Sequence, residues 1–294
     1  IELNPSFDKA YMNCGLLLYE KKDYKQAIKY FDKAIELDNN NDKAFYQIGQ
    51  CYFLLNDFDN AINYLSKAID INNQNFQAYY TRGDIYFMKG NYNNAIKDFS
   101  SVINLNPKDI NFLSYAYNDR GSSKLKIKDI KGAIEDYKMA IQINPSFSIA
   151  YSNLGSAYKE NKNYNEAILN YSMSISLKKD NYIAYNNRGE AKYLLEDYDG
   201  AIEDFTAAIK INPQYAYAYN NRGNAKYKKY DYKGAVEDYN AAIKINPKYG
   251  YAYLNRGISK EMLRDNVGAC DDWKKAQTLG INSASNYIKL QCNE

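Results

Sequence analysis

Histidine is absent from all 294 residues. Its absence removes the commonest general base and every serine–histidine or cysteine–histidine nucleophile arrangement. Cysteine is scarce, and Cys14, Cys51, Cys270 and Cys292 show no CxxC or other paired spacing. They read as small buried thiols kept unpaired in a reducing, cytoplasmic compartment. No apolar run approaches the roughly 18 residues that a membrane span needs. Neither sign of charge dominates: 38 basic against 35 acidic residues leave a net charge of +3, with no long block of either. That balance gives no pull toward nucleic acid or anionic lipid. No GxxxxGK[ST] loop and no GxGxxG fingerprint is present, so the chain is expected to be non-catalytic, with no cofactor and no metal.

What the chain has is a period. Glycine recurs at 15, 49, 83, 121, 155, 189, 223 and 257, a spacing of 34 broken once by 38. An alanine follows each glycine by twelve residues, from Ala27 to Ala269, and an aromatic precedes each by four, from Tyr11 to Tyr253. The five prolines (Pro5, Pro107, Pro145, Pro213, Pro247) share one place in the period, where each stops a helix. Each unit reads as two amphipathic helices with a short break, as in "AYAYNNRGNAKYKKY" followed by "YKGAVEDYNAAIKIN". Gly223 and Ala235 leave no bulk where the helices cross, and Tyr219 and Tyr239 fill the wider gaps. One hairpin cannot bury its apolar face alone, so neighbours must stack. The lone tryptophan, Trp273, takes an aromatic core place of the last unit.

These glycine, alanine, aromatic and proline places resemble the tetratricopeptide repeat. The resemblance covers eight units, 8–41, 42–75, 76–113, 114–147, 148–181, 182–215, 216–249 and 250–283. It implies an all-α, right-handed superhelical solenoid of antiparallel helix hairpins, with the first helices lining a concave groove. Residues 1–7 match the tail of a preceding unit, which suggests a fragment of a longer chain. Residues 284–294 resemble a first helix serving as a terminal cap, with Tyr287 and Leu290 at apolar places. The four extra residues "INFL" (110–113) are expected to extend a first helix and keep Ile110 and Leu113 on its packed face; an irregular loop presenting Phe112 is the alternative.

With the glycine numbered 8 within each unit, arginine stands at position 7 in five units and aspartate at position 23 in the same five. The pairs are Arg82 with Asp98, Arg120 with Asp136, Arg188 with Asp204, Arg222 with Asp238 and Arg256 with Asp272. A guanidinium fork fits a carboxylate bidentately, so these arginines are expected to be structural. Position 6 holds Asn13, Asn153, Asn187, Asn221 and Asn255. The resemblance implies that such asparagines form a ladder in the groove, as in the arm of the enzyme that adds N-acetylglucosamine to serine and threonine. An amide can grip a peptide C=O and N–H together; the other reading is a merely solvated face. Further groove candidates are Asn186, Tyr193, Tyr217, Asn220, Asn224 and Tyr227, with Tyr46 and Phe53 in the second unit. The family's carboxylate clamp is not matched: lysine is needed where Asn220 stands, and no unit has arginine at position 6. The expectation is a scaffold for a protein or peptide ligand, not nucleic acid. The substrate-recruiting arm of a larger enzyme such as a glycosyltransferase, and a self-association module, are the alternatives.

Overall fold

The structure, a computed structural model, describes residues 8–292, so the expectation for residues 1–7 lies outside the described residues. The described chain is helical throughout and divides into two units, residues 1–145 and 146–294. The first unit stacks four hairpins. They are α1 (Asp8–Glu20) with α2 (Tyr24–Leu37), α3 (Asp42–Leu54) with α4 (Phe58–Ile71), α5 (Phe76–Met88) with α6 (Tyr92–Leu105), and α7 (Ile110–Lys126) with α8 (Ile130–Ile143). The second stacks α9 (Ser148–Glu160) with α10 (Tyr164–Leu177), α11 (Tyr182–Leu194) with α12 (Tyr198–Ile211), α13 (Ala216–Lys228) with α14 (Tyr232–Ile245), and α15 (Gly250–Met262) with α16 (Asn266–Thr278). A final helix, α17 (Ala284–Gln291), packs on α16. Among the described residues no helix is long and apolar enough to cross a membrane.

Local chemistry sets the hairpin turns. Position 16 is Asp or Asn in every unit, and seven of these residues make an N-cap. Asp23, Asp57, Asn91, Asp129, Asp197, Asp231 and Asp265 each accept the backbone N–H three residues on. That bond satisfies a donor the first helical turn cannot satisfy itself. The residue before the cap is left-handed in all eight hairpins. Only one of the eight is glycine (Gly90); the others include Lys22, Glu196 and Tyr230.

The core has one theme. Position 24 carries a large residue, from Phe31 to Trp273, and each is no more than 1% exposed. The ring lies over the repeat glycine: a Cβ on Gly223 would stand 2.7 Å from Tyr239 Cε1, and one on Gly121 would stand 3.0 Å from Tyr137 Cε1. The glycine therefore seats a ring as well as letting backbones approach, which corrects the reading that Tyr239 fills a gap to one side.

The four-residue insertion lengthens α7 to 17 residues, beginning after the N-cap Asp109. Phe112 is tucked edge-on against Phe76 at 5.3 Å and Tyr80 at 5.6 Å. Ile110, expected on the packed face, is instead 58% exposed because it opens the helix, ahead of the part that meets α6. At the other end Tyr287 stacks on Trp273 at 5.1 Å, but Leu290 is 77% exposed. Leu290 occupies the position that in a hairpin faces the second helix, and among the described residues none follows α17.

The cysteines depart from expectation. Cys51 is buried and free, and burial pushes its thiol up to about 12. Cys270 and Cys292 form a disulfide across α16 and α17. The argument for a reducing compartment rested on unpaired cysteines and loses its basis for this pair. Twenty-two residues separate them in sequence, and only the fold-back of α17 brings them together.

Candidate protein-interaction surface

The five arginines do more than pair. Each guanidinium grips its aspartate through Nε and Nη2, with the shorter contact at 2.5–2.8 Å. Its Nη1 donates to the second helix of the preceding hairpin: Arg82 to Ser66, Arg120 to Ser100, Arg188 to Ser172, Arg222 to Thr206 and Arg256 to Asn240. Its face lies over the tyrosine three residues earlier, as Arg222 does over Tyr219 at 5.7 Å. Four of the five aspartates also hold a lysine that sequence reasoning missed, Lys124, Lys192, Lys226 or Lys260, at 2.8–2.9 Å. In the third unit Tyr86 stands at that lysine position, and burial raises the Asp98 carboxyl despite the opposing pull of Arg82. The signal was legible: lysine at position 11 occurs in four of the five Arg–Asp units and in no other unit.

The asparagines of the second unit form a network along successive first helices. Asn221 Nδ2 donates to Asn186 Oδ1 at 3.1 Å and to Glu190 Oε1 at 2.9 Å. Asn255 Nδ2 repeats this one hairpin later, to Asn220 Oδ1 at 3.1 Å and Asn224 Oδ1 at 3.0 Å. Both amide hydrogens of each are thereby committed. Asn186 and Asn220, expected to line the groove, are 2% and 4% exposed, so they cannot face a ligand. Their burial follows from these bonds, which join neighbouring helices. Asn187 differs: it accepts one long bond from Asn186 at 3.4 Å and donates to no described residue. Asn153 is half-buried and has partners of its own, whereas Asn13 is exposed on α1.

Around the network lie two shallow cavities of about 230 and 190 Å³, both lined by Tyr193 and Asn224. Tyr227 and Asn255 complete the first, and Asn221 and Glu190 the second. Beside them, position 2 of four consecutive first helices is exposed and apolar: Ile149 56%, Ile183 45%, Tyr217 53% and Tyr251 57%. Tyr217 also belongs to a chain of rings, Tyr182–Tyr215–Tyr217–Tyr249, with centroids 5.0–5.6 Å apart.

In the first unit Tyr46 lines a separate cavity of about 340 Å³ and its hydroxyl accepts from Gln50 Nε2 at 2.8 Å. Phe53 is half-buried and packs with Phe58 on the cluster around Leu65. Two carboxylates come together nearby. Asp119 accepts from Tyr80 Oη at 2.5 Å and Asn118 Nδ2 at 2.9 Å. Burial, and then the Asp119 charge, push Asp84 up to about 7. An unfolded aspartate titrates near 4. The folded chain thus holds a proton that the unfolded chain has lost between about pH 4 and 7, so stability falls as pH rises through that window. Asp84→Asn is expected to stabilise the chain by at least about 1 kcal/mol at pH 8 and to have little effect at pH 4.5. Urea melts at both pH values check this.

Family models and solved structures place the chain in context. Tetratricopeptide repeat models match residues 121–162, 149–181, 189–230 and 223–263. A model described as anaphase-promoting complex, cyclosome, subunit 3 matches residues 20–102. No curated protein matches. Among solved structures the chain is similar to YrrB, a TPR protein with an unusual peptide-binding site, at 21% identity and TM-score 0.55, over 64% of this chain and 95% of that one. It is similar to MamA at 27% identity and TM-score 0.51, over 56% and 96%. It is also similar to the APC/C hetero-tetramer Cut9-Hcn1 at 16% identity and TM-score 0.66, over 92% and 53%.

Proposed function

Since the chain is a tetratricopeptide repeat protein, we propose that it is a non-catalytic interaction scaffold whose first-helix face, within residues 146–294, holds a segment of a partner protein. The row of exposed apolar side chains, Ile149, Ile183, Tyr217 and Tyr251, carries the reading. Scattered apolar residues on a surface are ordinary, but here exposed apolar side chains recur at one and the same position of four successive first helices. Tyrosines supply large contact area at small entropic cost, with a hydroxyl for the rim. Asn187, with its amide hydrogens uncommitted, is the ladder member suited to grip a partner's backbone. Asn221 and Asn255 act chiefly by holding the helices in register.

Chain chemistry supports the same reading. The chain has no histidine, the commonest general base. The arginines on these helices are tied to aspartates, which leaves little free positive charge for a phosphate backbone. YrrB, described by its peptide-binding site, shares the fold, and Cut9-Hcn1 is an assembly of several chains.

The test is quantitative partner recovery with Ile183→Ser, Tyr217→Ser and Tyr251→Ser combined, compared with Asn187→Ala and the unaltered chain. Each side chain is exposed, so circular dichroism should be unchanged. The triple change is expected to weaken capture at least about a hundredfold, since central aromatics dominate such interfaces. Undiminished recovery by the triple variant would refute the assignment.

A further inference from the structure

The last described helix, α17, has only eight residues and is tied to α16 by a covalent bond as well as by packing. An eight-residue helix is marginal in water by itself. Its N-terminus has no side-chain cap, and Ala284 is its only fully buried residue. Asn286, Lys289, Leu290 and Gln291 are exposed. What it covers is apolar: Tyr287 and Ile288 pack on Leu254, Trp273 and Ala276, the face of α15 and α16 that every earlier hairpin in its unit presents to its successor. The disulfide from Cys270, on α16, to Cys292, just beyond α17, closes this flap.

We propose that Cys270–Cys292 is a redox latch on α17. A dithiol reductant supplies the chemistry. One of its thiolates attacks a sulfur of the disulfide, expelling the other cysteine as thiolate, which takes a proton. The second thiol of the reductant then displaces the first cysteine from the mixed disulfide. Two electrons pass to the protein; the products are two cysteine thiols and the reductant's own cyclic disulfide. With the loop between Cys270 and Cys292 no longer closed, docking of α17 loses an advantage on the order of a hundredfold. The helix then leaves the Trp273 face, and that face of α15 and α16 is uncovered. Cys14 and Cys51, both free, take no part.

Trp273 is the only tryptophan, so its fluorescence reads the uncovering directly. The experiment uses the whole 294-residue chain with and without dithiothreitol, following tryptophan emission and amide hydrogen exchange over residues 284–291. Reduction is expected to shift emission to the red and to speed exchange there about a hundredfold, with little change in α13 and α14. Cys292→Ser should show the open behaviour without reductant, and a Cys14→Ser, Cys51→Ser double variant should respond as the unaltered chain does. Exchange changed less than threefold, with mass spectrometry showing both thiols free, would overturn the latch. Failure to find the Cys270–Cys292 linkage in the oxidised chain would overturn it equally.

Discussion

Asp238→Ala is expected to destabilise the second unit by about 3 kcal/mol, because it strands two partly buried cations that share one buried carboxylate. The Asp238 side chain is 5% exposed; its Oδ1 accepts from Arg222 Nη2 at 2.6 Å and its Oδ2 from Arg222 Nε at 2.9 Å, while Lys226 Nζ sits 2.8 Å from that same Oδ2. Taking ions out of water is costly, and only mutual pairing offsets the cost; removing one partner leaves the whole penalty with the others. Arg222 cannot swing into solvent without also releasing Thr206 and its place over Tyr219. A matched control is Asp199→Ala. Its pair with Lys229 is exposed on both sides, so the loss should stay within about 0.5 kcal/mol. Urea denaturation measures both, and equal small losses would show that the interior pairs are no more than surface ornaments.

Gly223→Val is expected to cost about 3 kcal/mol, at the upper end of what overpacking does. Alanine in place of a helical glycine ordinarily gains up to about 1 kcal/mol. Here that gain meets the ring of Tyr239, whose Cε1, Cζ and Cδ1 lie 2.7, 2.9 and 3.1 Å from the site of a new Cβ. The ring is 1% exposed and its hydroxyl donates to Asn224 Oδ1 at 2.8 Å, so moving it disturbs both the packing and that bond. Valine adds two further methyl groups to the collision. If this is the mechanism, Tyr239→Ala should relieve part of it, and the double variant should lose less than the sum of the singles. Strict additivity would mean the glycine matters for some other reason.

The architecture was readable because each hairpin repeats the same steric problem: a glycine, an alanine and a large apolar or aromatic side chain recur at fixed places. The Arg–Asp pairs were readable for a related reason, since five arginines and five aspartates occur in the same units. The aspartate and asparagine caps at position 16 and the lysine at position 11 were equally visible and needed only the same matching. The direction of the amides was not visible. Successive helix residues differ by about 100° around the axis, so whether Asn186 faces a groove or a neighbour depends on how adjacent helices roll together. The bonds that settle it span 31 and 35 residues. The disulfide was hidden for a different reason: the cap expectation for residues 284–294 places the last helix on α16, but the 22-residue spacing of Cys270 and Cys292 does not say that their side chains meet there.

The backward reach of the arginines bears on how such a chain can change length. The acceptors for Nη1 are serine in three places, threonine in one and asparagine in another, all short polar groups that serve equally well. Excising or duplicating one 34-residue block within a run of such repeats would bring an old arginine against a new acceptor of the same kind. Unequal recombination of the gene can therefore alter repeat number while every junction stays closed, leaving the exposed side chains free to diversify.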